Sequence, residues 1–199
     1  MELTFTKGSI SFEKELNQLD QFVIDFTSIL NNLTINYVII SGYVAILFGR
    51  NRASEDVDLF IEKIDFQKFQ TLWESVQEQF ECIITGSAED AYHLYLTEGF
   101  ALRFARKGQV NPNMEIKFCK SELDFFSLGK KKKVIVNAHT LFISPLELQI
   151  SFKLTLGTQK DIEDANYLYI LFKDNLDHAL LHSFNRKLKI EGTFKRYLA

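Results

Sequence analysis

The residues best placed to do chemistry in this chain are Asp56 and Asp58, two positions apart in Asp56-Val57-Asp58-Leu59-Phe60-Ile61. Acid and apolar residues alternate there before the run becomes wholly apolar, the pattern of a strand that leaves the core at one end. On such a strand residues i and i+2 project from one face about 6 to 7 Å apart. Two carboxylates so held can share divalent cations, and magnesium takes oxygen ligands from one or two carboxylates together with substrate phosphates. The pair is a candidate nucleotide-phosphate site. A solvated strand end can carry the same spacing, and 26 acidic residues in 199 make chance pairs expected. The surrounding order therefore has to decide.

Upstream, Tyr37-Val38-Ile39-Ile40 is a short apolar run rich in β-branched residues and closed by Ser41-Gly42, a buried strand ending in a tight turn. Gly42 would let a phosphate approach backbone N–H groups closely. A short helix over Tyr43 to Phe48 is predicted next, then Arg52-Ala53-Ser54-Glu55 and the Asp56-Val57-Asp58 strand.

This order resembles the nucleotidyltransferase superfamily of the polymerase-β-like fold, whose signature is an apolar strand, a Gly-Gly or Gly-Ser turn and an Asp-x-Asp strand. The chain is most similar to the branch related to abortive-infection toxins and to minimal nucleotidyltransferases of the antitoxin type. There Arg-x-Thr-x-Asp-x-Asp is typical, and Arg52, Ser54, Asp56 and Asp58 match it in register. The turn departs from the pattern, since Ser41-Gly42-Tyr43 keeps one glycine and puts the serine ahead of it.

The resemblance spans roughly Tyr37 to Phe172 and implies further residues. A third carboxylate is expected from a later strand, Glu115 in Met114-Glu115-Ile116-Lys117-Phe118, with Lys117 beside it. A capped helix carrying a lysine should follow, matched by Ser144-Pro145 through Lys153, and then a basic-Asp-x-x-Asp segment, matched by Lys160 to Asp164. By this resemblance Asp56, Asp58 and Glu115 are the catalytic residues and the ligands of one or two Mg2+ ions, with Mn2+ able to substitute. Ser41, Gly42, Arg52, Ser54, Lys117, Lys153 and Lys160 bind the nucleotide, arginine as a fork and lysine as a point charge. The implied reaction moves a nucleoside monophosphate from an NTP to a hydroxyl of RNA, such as tRNA, or of protein. The implied setting is toxin–antitoxin or phage defence, with a cognate toxin or antitoxin as partner. Two other readings stand beside it: a catalytically degenerate nucleotide- or partner-binding module, and a small-molecule nucleotidyltransferase.

Apolar residues from Phe12 to Leu33 recur at helical spacing, as do those from Asp65 to Phe80, and Cys82-Ile83-Ile84 reads as a short strand. Phe100 to Phe104, Met114 to Phe118 and Val134 to Val136 read as consecutive antiparallel strands. Ser144-Pro145-Leu146-Glu147 reads as a helix start in which Ser144 caps and Glu147 completes a capping box. Helices over Leu146 to Leu156, Ile162 to Phe172 and Leu176 to Leu188 complete the chain. The expected class is α/β (α+β), a mixed sheet flanked by helices, with an antiparallel extension and C-terminal helices. Residues 1–143 form the expected core with its N-terminal helix, and 144–199 a helical region packed on it.

A net charge of −3 and a pI near 5.8 exclude a globally cationic binder of nucleic acid. Lys130 to Lys133 is the basic run, either a solvated turn or a local surface for an RNA acceptor. Cys82 and Cys119 lack metal-ligand spacing, and His93, His139, His178 and His182 form no triad. No stretch approaches the roughly 20 apolar residues of a membrane helix, and the N-terminal residues lack a signal-peptide pattern. No membrane association is expected, and the expected location is cytoplasmic.

Overall fold

The alternating and β-branched segments assemble one mixed sheet, which a computed structural model describes for residues 2–6 and 8–198. The strands are β1 (Thr4–Thr6), β2 (Ser9–Phe12), β3 (Tyr37–Ile39), β4 (Asp56–Ile61), β5 (Phe80–Cys82), β6 (Leu102–Arg106), β7 (Asn113–Phe118), β8 (Lys132–Val136) and β9 (His139–Ile143). Among the described residues their spatial order is β1-β2-β8-β9-β3-β4-β7-β6-β5. The aspartate strand β4 is central, antiparallel to β3 and parallel to β7. Neighbours on both edges satisfy its backbone groups, which leaves its side chains to define the site.

The later strands are antiparallel only in part. β5, β6 and β7 form one antiparallel set and β8 and β9 another. β7, however, joins β4 in parallel and β8 joins β2 in parallel, so these strands are absorbed into the main sheet. β9 was not expected, because the two-residue turn before it, Asn137 at φ 45° and Ala138 at φ 69°, lacks the glycine that usually marks such a hairpin.

The helices are α1 (Gln18–Asn32), α2 (Gly42–Leu47), α3 (Phe66–Val76), α4 (Ala88–Asp90, continuing into a π-helical turn over Ala91–Leu96), α5 (Glu122–Gly129), α6 (Leu146–Leu156), α7 (Gln159–Phe172), α8 (His178–Lys187) and α9 (Glu191–Tyr197). The first helix is shorter than the apolar spacing predicts. Phe12 pairs with Val136 in the sheet, and a capping box between Asn17 and Asp20 starts α1 only afterwards. α5 was also unexpected, although Ser121 and Asp124 form a second capping box at its start.

Ser144 does not cap α6. Pro145 stands at the N-cap position without a side-chain bond, the Ser144 N–H donates to the Ile39 carbonyl, and the Glu147 carboxylate accepts the Asp177 N–H. The serine is drawn into the pairing of β9 with β3, inside the sheet, and the glutamate into the turn before α8. Leu146, Ile150, Leu154, Leu168 and Phe172 share one apolar cluster with the sheet. The Phe48 and Phe172 rings meet edge to face at 4.7 Å, tying the end of α2 to α7. Each large apolar side chain fully buried in this way contributes about 1.5 to 3 kcal/mol. Among the described residues no helix is long and apolar enough to cross a membrane.

Candidate functional site

The turn from β3 into α2 carries the local strain of the site. Ser41 adopts φ 62°, ψ −137°, a backbone region that favours glycine. Gln149 of α6 holds it there: the Ser41 N–H donates to Gln149 Oε1 at 3.3 Å and Gln149 Nε2 donates to the Ser41 carbonyl at 2.7 Å. The left-handed backbone therefore falls on the serine and not on Gly42. A Cβ on Gly42 would instead collide with the Arg52 guanidinium. The absent side chain makes room for an arginine, where the sequence suggested room for a phosphate. Tyr43 is buried and its hydroxyl donates to Asp20 of α1 at 2.8 Å, so its ring belongs to the core.

Beside the turn lies a row of charged residues across neighbouring strands. Asp58 on β4 stands directly opposite Glu115 on β7, and Glu115 opposite Arg103 on β6. Burial raises the Asp58 pKa, the Glu115 and Asp56 charges add to that, and a Ser41 hydrogen bond and the Lys117 charge work against it. Asp56 is exposed at the strand start, where the Ser54 hydroxyl donates to its carbonyl at 3.0 Å and to Oδ1 at 3.3 Å. Glu115 Oε2 accepts from Arg103 Nε at 2.9 Å, and its other oxygen pairs with Lys117. Burial alone would raise the Glu115 pKa, but Lys117 and Arg103 carry it below the usual carboxylate range.

Asp56 and Asp58 fit a hard divalent cation, because they offer oxygen donors from one strand face and Asp58 stands among like charges. Glu115 already has two cationic partners, Arg103 and Lys117. Among the described residues no group of three or more acidic, histidine or cysteine side chains is gathered as a ready cation site.

A second cluster lies behind the turn. Asp164 on α7 is fully buried and accepts a bidentate pair from Arg52, Nε and Nη2 each at 3.0 Å. It also pairs with Arg50 and, at 2.6 Å, with Lys153 of α6. Lys153 reaches Asp161 as well, at 3.0 Å, and Arg50 reaches Glu163 at 2.6 Å. Burial lowers the Lys153 pKa, Asp161 opposes this, and the neighbouring arginines reinforce it. Lys160 is exposed, and only its backbone carbonyl joins the cluster, accepting from Arg50 at 3.2 Å.

The structure thus gathers Ser41, Ser54, Asp56 and Asp58 around the start of β4, puts Glu115 with Lys117, puts Arg52 and Lys153 on one carboxylate, and leaves the Lys160 ammonium outside. Arg103 and Gln149 were missed from the sequence. Arg103 has a signal in the alternation of its strand; Gln149 has none, because its partner is 108 residues away. The lysine run is divided too. Lys131 lies 3.9 Å from the Phe142 ring centroid and donates to the Tyr37 carbonyl at 3.2 Å, while Lys130, Lys132 and Lys133 are exposed.

The central Asp-x-Asp strand, the preceding turn and short helix, and the helices closing over them belong to a fold that the chain shares with solved structures. The chain is similar over 91% of its length to 94% of an antigenic nucleotidyltransferase-like protein from Paracoccidioides brasiliensis, with a TM-score of 0.55 and 18% identity. It is likewise similar over 86% of its length to 99% of ANT(2")-Ia in complex with adenylyl-2"-tobramycin, with a TM-score of 0.56 and 11% identity. By sequence it matches no family model and no curated protein.

Proposed function

We propose that this chain is a Mg2+-dependent nucleotidyltransferase that moves a nucleoside monophosphate from an NTP to a hydroxyl of RNA or protein, in a toxin–antitoxin or phage-defence setting. The observation that carries this reading is the β4–β7 register, which sets Asp58 beside Glu115 with Asp56 on the same strand, within this fold. Asp56 and Asp58 would hold the cation, with Mn2+ able to substitute, and Glu115 could join them by giving up Arg103 or Lys117. When bound, the metal supplies charge neutralisation on the phosphates and a lower pKa for the attacking hydroxyl. Ser41 and Ser54 border the approach to the carboxylates, and Gly42 makes room behind them for Arg52. Lys117 would supply positive charge beside the carboxylates, while Arg52 and Lys153 would reach a triphosphate only by giving up Asp164, and Lys160 only by swinging in from the surface. The acceptor oxygen bonds to the α-phosphorus as the bond to the bridging oxygen breaks; pyrophosphate leaves and the hydroxyl proton passes to solvent. An RNA acceptor would use the exposed Lys130, Lys132 and Lys133.

Two observations favour other readings. ANT(2")-Ia was solved with adenylyl-2"-tobramycin, which favours a small-molecule acceptor. The engagement of both Arg52 and Lys153 by Asp164 favours a module that binds without turning over.

The deciding experiment follows label from α-labelled NTPs into RNA, protein and small-molecule pools with Mg2+. Incorporation that falls at least about 1,000-fold in Asp58→Ala supports the proposal. Label confined to the small-molecule pool selects that acceptor. NTP binding without pyrophosphate release, or no incorporation with any NTP, ends the enzyme reading.

A further inference from the structure

We infer that the cleft between α5, α6 and the β3–β4 face of the sheet is a binding site for a flat ring with a hydrogen-bonding edge. The inference deepens the nucleotidyl-transfer reading and rests on it only for the ring's source, either the base of the nucleotide or a ring carried by the acceptor.

The cleft begins where the carboxylate pair ends. Phe60 is two residues beyond Asp58 on β4, so strand alternation sets it on the same face. Its ring contributes to the sheet-side wall together with Ile40. Leu148, Phe152 and Leu156 come from α6, and Leu123 from α5. Phe152 and Leu156 stay 45% and 51% exposed, an apolar rim that a ligand would cover. A slot between a sheet and a helix, with an aromatic residue on each wall, suits a planar ring better than a branched or strongly hydrated group.

The polar groups along the cleft point to the ring's edge. Asp124 Oδ2 is taken by the Lys120 and Ser121 N–H groups at 3.0 and 2.9 Å, and its other oxygen can add an acceptor to the cleft. Gln149 is spent on Ser41, and Lys153 on Asp161 and Asp164. The Ser127 hydroxyl, by contrast, is 2% exposed and has no hydrogen-bond partner among the described residues. A buried hydroxyl left unpaired is unfavourable, and a water needs two or more polar partners to settle beside it. A ring with a donor or acceptor on its edge supplies that bond while its faces meet apolar walls.

The test uses the full chain with methyl-labelled leucine, in metal-free buffer, titrated with adenosine, guanosine, cytidine, uridine and indole. The expected result is saturable shifts at Leu123, Leu148 and Leu156 with at least one of these probes. Ser127→Ala should weaken that probe about tenfold, the worth of one hydrogen bond, while its melting temperature stays level or rises because the hydroxyl has no partner in the free protein. Phe152→Ser, at the exposed rim, should weaken every bound ring. Saturation by a nucleoside assigns the ring to a nucleobase, of the NTP or of an RNA acceptor, and saturation by indole alone to a ring of a protein or small-molecule acceptor. No saturable shift with any probe, or unchanged affinity in Ser127→Ala, overturns the inference. The readout needs neither metal nor turnover. Ring binding without transfer would therefore count against the enzyme reading alone, and transfer without ring binding against the cleft alone.

Discussion

The Arg52 guanidinium occupies the space that a side chain on Gly42 would need. Through that arginine the β3–α2 turn is tied to Asp164 on α7, so the start of the sheet site and the C-terminal helices are held by one buried carboxylate. The glycine therefore matters for an internal ion pair as well as for any ligand.

Gly42→Ala separates two effects of opposite sign. Helix propensity alone favours alanine by up to about 1 kcal/mol. Displacing Arg52 from Asp164 should outweigh this and give a net loss of roughly 1 to 3 kcal/mol. Urea unfolding decides: a variant as stable as the parent would remove the packing account of Gly42.

Asp164→Asn should be among the most damaging single changes, because Arg50, Arg52 and Lys153 would face one another without their shared counter-charge. A loss of about 3 to 5 kcal/mol is expected for breaking a buried pair from one side. Glu163→Gln, whose side chain is 51% exposed, should cost under about 1 kcal/mol. Equal unfolding midpoints for the two variants would contradict the burial argument.

Asp58 and Glu115 should respond to pH with opposite signs. The folded-state pKa of Asp58 is raised, so the folded chain binds that proton more tightly than the unfolded one and loses stability as pH rises through this range. Glu115 is lowered, so its contribution is present above the unfolded value and lost as pH falls through the folded one. In metal-free buffer near pH 7, Asp58→Asn should raise the melting temperature and Glu115→Gln should lower it. Both differences should fade in acid, where the parent carboxyls are also protonated. A melting series from neutral pH to about pH 3 in EDTA checks the signs.

The lysine run should divide in the same way as its exposure. Lys131→Met removes a cation packed on Phe142 and a bond to the Tyr37 carbonyl, at a cost of about 1 to 2 kcal/mol. Neutralising Lys130, Lys132 and Lys133 together should leave stability within about 0.5 kcal/mol per site. If these three meet RNA phosphates, the triple variant should flatten the dependence of log K on log salt by about 0.7 for each phosphate no longer neutralised. Filter binding at several salt concentrations, beside unfolding curves, separates the two effects.

Elements that depend on local periodicity were legible before any folding was known. Alternation in Asp56 to Ile61 made a strand with both aspartates on one face, the β-branched run before Ser41 made its neighbour, and three- and four-residue spacing located most helices. Asp56 and Asp58 were legible because strand geometry alone fixes their relation. Tertiary structure alone decided what each charge faces. Glu115 lies opposite Asp58 only because β7 enters the sheet beside β4 in parallel. Arg52 and Lys153 converge on Asp164 only because α6 and α7 fold back over the turn. Ser144, whose local pattern promised a helix cap, instead extends β9 alongside β3 because its backbone N–H found the Ile39 carbonyl. A charge or a polar backbone group removed from water must find a partner wherever the packed chain provides one, and partners such as Gln149 for Ser41 leave no trace in local spacing.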